Sequence, residues 1–204
     1  MESNKNPRNI TVIFVLGPPG SGKGTLCKLA TYKVPSIYCH LSVGDYLREI
    51  SNPKTYSEAS SFDHKQIRSY LHAGKLLPAE ILIPALKHKI DSTSNGRDAP
   101  TTWLIDGFPR NMENVLAFEE KIGKPVKVIT LECGRDVAEE RFVSRGREET
   151  DDAKRFDKRY NEYVENMKAI LQYYGGIVEF IHADGNREGC QEEFMAMLVR
   201  LRGD

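Results

Sequence analysis

An apolar run, Ile10-Thr11-Val12-Ile13-Phe14-Val15-Leu16, ends directly on Gly17-Pro18-Pro19-Gly20-Ser21-Gly22-Lys23-Gly24-Thr25. The run is continuous, not alternating, as in a strand buried on both faces. The residues from Lys23 onward read as a helix. A glycine-rich turn between a buried strand and a helix start can aim several backbone N–H groups inward. The helix adds the positive end of its dipole and Lys23 adds a point charge, so the turn suits phosphate oxygens. In the general form of this loop a Ser or Thr follows the lysine and touches Mg²⁺. Here Gly24 follows Lys23 and the hydroxyl comes one place later, at Thr25. That spacing speaks for a metal held partly through water and against the regulatory GTPases.

Four more strand-like runs follow: Pro35–His40, Thr102–Asp106, Val126–Leu131 and Ile177–His182. Helix-period segments lie between them, near residues 23–33, 44–51, 64–73, 79–91, 112–121, 136–145, 154–173 and 188–201. Strands alternating with helices pair in parallel through right-handed crossovers. The expected fold is α/β, with a central five-stranded parallel sheet in a three-layer α/β/α arrangement. Residues 42–91 hold several helices without a strand, and 146–153 are short, polar and charged. Both read as excursions from a core formed by 10–41, 92–145 and 154–204, and excursions of this kind serve as lids. Asp91 to Pro100 reads as an exposed loop by composition.

Charge excludes some functions. Lys+Arg and Asp+Glu balance at 29 each, so no global basic field draws in nucleic acid. The polar start carries no secretory signal, and no apolar run approaches a membrane span. Cys27, Cys39, Cys133 and Cys190 are scattered without metal spacing and read as reduced thiols of a cytoplasmic or nuclear protein. The histidines at 40, 64, 72, 88 and 182 also lack ligand spacing and read as structural or surface residues.

Asp106 stands at the carboxyl end of the Thr102–Asp106 run, the sheet edge where open parallel sheets bind ligands. It is the candidate Mg²⁺ anchor, directly or through water. Arg110, past Gly107-Phe108-Pro109, reaches the same edge. With the phosphate loop, Leu41-Ser42-Val43-Gly44-Asp45-Tyr46-Leu47-Arg48, Gly74-Lys75-Leu76-Leu77-Pro78, Asp106 to Asn111 and Lys158-Arg159 with Tyr163, the chain resembles the nucleoside monophosphate kinases, from about residue 11 to 200. The resemblance implies ATP as donor, Mg²⁺, a nucleoside monophosphate as acceptor and a monomeric enzyme. It makes 42–91 the acceptor-binding segment and 146–153 a short lid.

The resemblance also assigns roles. Lys23 stabilises the transferring group. Arg48 and Arg110 hold the acceptor phosphate. Arg141 and Arg145 lie on the helix entering the lid, with Arg145 toward ATP. Arg159 clamps phosphates, and Arg147 stands in for a further clamp in a lid that is compressed and lacks the usual Asn. Gly185, after the last strand, is placed at the ATP base. Ser42, Val43, Leu76, Leu77 and Gly107 complete the acceptor site. The physics agrees: planar guanidinium forks neutralise spread phosphoryl charge, and the acceptor oxygen itself attacks.

Asn114 carries the acceptor choice. A short amide can both donate to and accept from a pyrimidine edge, and the resemblance is to UMP/CMP kinases, with dCMP a further acceptor. Val43 matches neither pyrimidine nor adenylate kinases, and residues 117–125 resemble adenylate kinases more, so AMP is the alternative acceptor. A nucleotide-binding interaction protein of weak activity is a third reading, supported by the lid alone. A kinase of shikimate or gluconate is disfavoured by Asn114 and by residues 74–78.

Overall fold

The computed structural model describes residues 10–54, 63–94, 101–146 and 152–203. Five strands, β1 (Ile10–Leu16), β2 (Tyr38–Ser42), β3 (Thr101–Asp106), β4 (Lys127–Glu132) and β5 (Val178–His182), form one sheet in the order β2-β3-β1-β4-β5. Every pairing is parallel. The helices are α1 (Lys23–Lys33), α2 (Val43–Ser51), α3 (His64–His72), α4 (Ala79–Ser94), α5 (Met112–Lys121), α6 (Arg135–Ser144), α7 (Ala153–Tyr174) and α8 (Arg187–Gly203). The expected α/β architecture is what forms.

The pleat of β1 explains why its run is continuously apolar. Val12, Phe14 and Leu16 enter one core with Trp103, Phe108, Phe118 and Tyr174. Ile13 and Val15 enter the other with Leu26, Leu104, Leu131, Phe194 and Leu198. Successive side chains on a strand point to opposite faces, so a strand covered on both sides needs apolar residues at each position. Phe14 packs edge-on against Phe108, Phe118 and Tyr174. Sheet pairing carries Leu16 and Asp106 to the same edge: β1 meets β3 with Val15 beside Asp106, and β2 meets β3 with Ser42 beside Asp106.

Two boundaries differ from expectation. The second strand starts at Tyr38, not Pro35, because Ile37 and Tyr38 donate their N–H groups to the carbonyl of Val34 in a turn. Helix α4 continues through Ser94, where composition suggested a loop from Asp91. Lys87 pairs with Asp91 one turn on, at 2.8 Å, and Ser94 Oγ accepts the indole N–H of Trp103 at 3.2 Å. Both contacts reward another turn of helix. The remainder of that loop, 95–100, and 147–151 of the supposed lid lie outside the described residues. Asp152 caps α7 by accepting the Arg155 N–H at 2.8 Å. None of the described helices is long and apolar enough to cross a membrane.

Candidate active site

The loop after β1 wraps inward because glycines take backbone angles that other residues avoid. Gly20 has φ +87°, and a β-carbon there would lie 1.9 Å from the Ala138 carbonyl oxygen on α6. The loop can seat against α6 only with hydrogen at that position. Lys23 folds back over the loop, and its ammonium donates to the carbonyls of Gly17 and Pro18, both at 2.8 Å, and to Ser21 Oγ at 3.2 Å.

A cavity of about 410 Å³ opens above this loop. Its walls include Pro19, Gly20, Ser21, Gly22, Lys23, Gly24, Thr25, Ser42, Arg48, Asp106, Gly107, Arg110, Arg141, Arg145, Arg159 and Gly185. A smaller cavity of about 120 Å³ adjoins it and is lined by Val43, Arg48, Leu76, Leu77, Gly107, Arg110, Asn114 and Arg159. Gly17 borders a third, narrow space of about 80 Å³ between the loop and α7. Residues distant in sequence thus converge as expected. Pro18 is an exception: it lines none of these spaces, and its carbonyl instead anchors Lys23 and the Ser21 N–H. Arg147 lies outside the described residues.

The large cavity is electrostatically one-sided. Among its described lining residues, Lys23, Arg48, Arg110, Arg141, Arg145, Arg159 and Arg187 are cationic, and Asp106 alone is acidic. Burial pulls the Arg159 guanidinium below its usual range, and Arg110, Arg145, Arg155 and Arg48 add repulsion. Arg110 is shifted down by burial, and Glu162, opposing that shift, is its strongest charged neighbour. Guanidinium groups keep their charge at neutral pH, so the cavity holds buried, mutually repelling positive charge that an anion would offset. Burial likewise lowers the Lys23 ammonium to about 8, with Asp106 opposing and Arg159 and Arg110 reinforcing.

Individual arginines are aimed by specific contacts. Arg110 Nε donates to the Gly107 carbonyl at 3.0 Å. Arg48 pairs with Asp45 one turn back on α2. Arg145 lies over the Phe142 ring at 4.0 Å, and Arg159 approaches the same ring at 5.5 Å. Arg141 donates to the Ala183 carbonyl at 2.6 Å, so it also ties α6 to the end of β5 beside Gly185. Asn114 is 2% exposed, and its Oδ1 accepts the Arg110 N–H at 3.3 Å. That bond orients the amide and leaves its Nδ2 buried with no partner among the described residues.

Several residues at the site escaped sequence reasoning. His40, read as structural or surface, places Nε2 against Asp106 Oδ2. Spacing along the chain hides this, because the contact forms only once β2 lies beside β3. Arg187 joins the cavity wall two residues past Gly185. Glu162 of α7 lines the acceptor-side cavity among the arginines.

A phosphate loop on a parallel sheet, an acid at the next strand end and a second arginine-lined cavity beside it suit an ATP-dependent phosphotransferase. Comparison with known proteins narrows the class. The adenylate kinase family model matches residues 15–177. UMP-CMP kinase 3 of Arabidopsis thaliana is 37% identical over 201 residues, covering 96% of this chain and 92% of that protein. The UMP-CMP kinases of Mus musculus and Homo sapiens are 35% and 34% identical over 171 residues, covering 80% of this chain and 83% of each relative. The chain belongs to the adenylate kinase family and is a nucleoside monophosphate kinase.

Proposed function

We propose that the chain transfers the γ-phosphoryl group of ATP to a pyrimidine nucleoside monophosphate, UMP or CMP and also dCMP, with Mg²⁺. The observation that carries the base-reading role of Asn114 is its Nδ2, which is buried with no hydrogen-bond partner among the described residues. A buried amide N–H₂ without an acceptor costs about 1–3 kcal/mol. A base carbonyl or ring nitrogen in the adjoining cavity removes that penalty, and Val43, Leu76 and Leu77 offer apolar surface for the ring. The similarity to UMP-CMP kinases favours a pyrimidine as that base.

In this reading Arg48 and Arg110 grip the acceptor phosphate and bring its oxygen in line with the γ-phosphorus. Lys23, Arg145 and Arg159 neutralise the charge that spreads over the transferring oxygens. The loop N–H groups hold the donor phosphates, and the backbone around Gly185 meets the donor base. Asp106 suits a hard cation: His40 holds one carboxylate oxygen, and the other accepts no hydrogen bond among the described residues. Asp106 would hold Mg²⁺ there, and the ion would supply positive charge against the donor phosphates. The chain's own residues supply both phosphate sites, which suits a monomer. The four free thiols suit a reducing compartment, the cytoplasm or nucleus. Residues 42–91 then form the acceptor segment and 146–153 the lid.

Asn114→Gln tests the base reading. The longer amide displaces the donor, and kcat/KM for UMP is expected to fall about 10–100-fold. The ATP dissociation constant should stay within about twofold, as for a site untouched by the change. Equal losses on both sides would remove Asn114 as the base reader.

The Lys23 ammonium gives a pH test. In the free enzyme it titrates at about 8. A bound triphosphate favours the charged form and raises that value. ATP affinity is therefore expected to be constant below about pH 8 and to weaken as pH rises above it, with proton uptake on binding. Calorimetry in buffers of different ionisation enthalpy measures the uptake. Constant affinity and no uptake up to about pH 9 would contradict the assignment.

A further inference from the structure

Three side chains from three elements meet under the active-site floor. Cys27 comes from the first turns of α1, His40 from β2 and Asp106 from the end of β3. One ligand atom of each lies within 4.8 Å of the other two. Cys27 is fully buried and Asp106 is 8% exposed, so the chain closes over the group on one side while Asp106 faces the cavity on the other. The imidazole already points a ring nitrogen at the carboxylate.

We propose that Cys27, His40 and Asp106 bind one soft divalent cation of the zinc class, and that occupation withdraws Asp106 from phosphoryl transfer. The donor set decides the metal. Mg²⁺ takes oxygen ligands in an octahedron and has no use for sulfur. One thiolate, one imidazole and one carboxylate are the ligand types that hold zinc, with an open fourth position for water. Zinc–ligand bonds of about 2.0–2.3 Å place neighbouring donors roughly 3.5 Å apart. The three groups reach that spacing by side-chain adjustment, with the His40–Asp106 hydrogen bond opening and Cys27 drawing in. On binding, the Cys27 thiol releases its proton to solvent and its sulfur bonds the metal. The thiolate and carboxylate bring negative charge beside Lys23, which offsets its repulsion of the cation.

The spectroscopic arm rests on geometry alone, and the inhibition arm rests on the role given to Asp106. Cobalt(II) is added to the full-length chain without nucleotide. A thiolate-to-cobalt charge-transfer band saturating at one equivalent is expected. Cys27→Ala should abolish the band and His40→Asn should weaken it, while Cys27→Ala still binds ATP. No band in the natural protein, or a band that survives Cys27→Ala, overturns the site. In the kinase assay at saturating Mg²⁺, Cys27→Ala is expected to raise the zinc concentration for half-inhibition by about 10–100-fold or more. Cobalt bound at Cys27 without zinc inhibition of the natural enzyme would overturn the link to Asp106.

Discussion

A Lys23→Met enzyme is expected to lose about 10³-fold in kcat with little change in its melting temperature. The ammonium is the one side-chain cation inside the loop, and it is held there by the Gly17 and Pro18 carbonyls and Ser21 Oγ. Methionine matches the stem in length and removes the charge. The loop keeps its backbone shape, which depends on glycine conformations and on the seating of Gly20 against Ala138. The loss should therefore fall on the transition state, where charge on the transferring group is most spread, more than on ATP binding. Single-turnover rates with saturating ATP separate the two. A kcat within about tenfold of the natural enzyme would remove Lys23 from the chemical step.

Arg110→Ala is expected to lower kcat/KM for the monophosphate by about 10²–10³-fold and to leave the ATP dissociation constant nearly unchanged. Arg110 borders both the large and the acceptor-side cavities, and its Nε is braced on the Gly107 carbonyl. That brace leaves the terminal nitrogens to fork onto one phosphate. Arg110→Lys should recover little, because a single ammonium cannot replace a planar, two-pronged donor. A lysine variant with near-natural kcat/KM would mean that only charge matters at this position. An equal loss of ATP affinity would mean that Arg110 serves the donor.

Much of this site could be read before the fold was known, for a physical reason. The loop Gly17 to Thr25 is contiguous, so the backbone that makes it is local in sequence. Asp106 and Arg110 were placed by another local rule, since a buried strand that ends on an acid delivers that acid to the sheet edge. Their meeting with Lys23 needed only parallel pairing of β1 and β3. The contact of His40 with Asp106 was not legible, because it depends on register between β2 and β3. The same holds for Glu162, whose charge reaches Arg110 only after α7 packs across the acceptor cavity. Arg141 shows a third case. Its place beside the donor site was expected, but its bond to the Ala183 carbonyl gives it a second task that no spacing reveals. Helix α4 outran its expected end because an intrahelical ion pair at Asp91 and a tertiary hydrogen bond at Ser94 outweighed a loop-like composition.

In the proposed function, Asn114 links the fold to the choice of substrate. It sits at the start of α5, where Asn111 caps the helix by accepting the Asn114 N–H at 2.8 Å. Its own Oδ1 then holds the Arg110 backbone. One short segment therefore fixes both the residue assigned to the acceptor phosphate and the residue assigned to the acceptor base, and Arg110 and Asn114 should move little relative to each other on binding.

The central claim is the acceptor. Purified protein with Mg-ATP, assayed for ADP formation with UMP, CMP, dCMP, AMP and GMP in parallel, tests it most directly. The account predicts rapid turnover with UMP and CMP, turnover with dCMP, and little with AMP or GMP. AMP as the one good acceptor would contradict the pyrimidine reading, and ATP binding without turnover on any of them would contradict phosphoryl transfer itself.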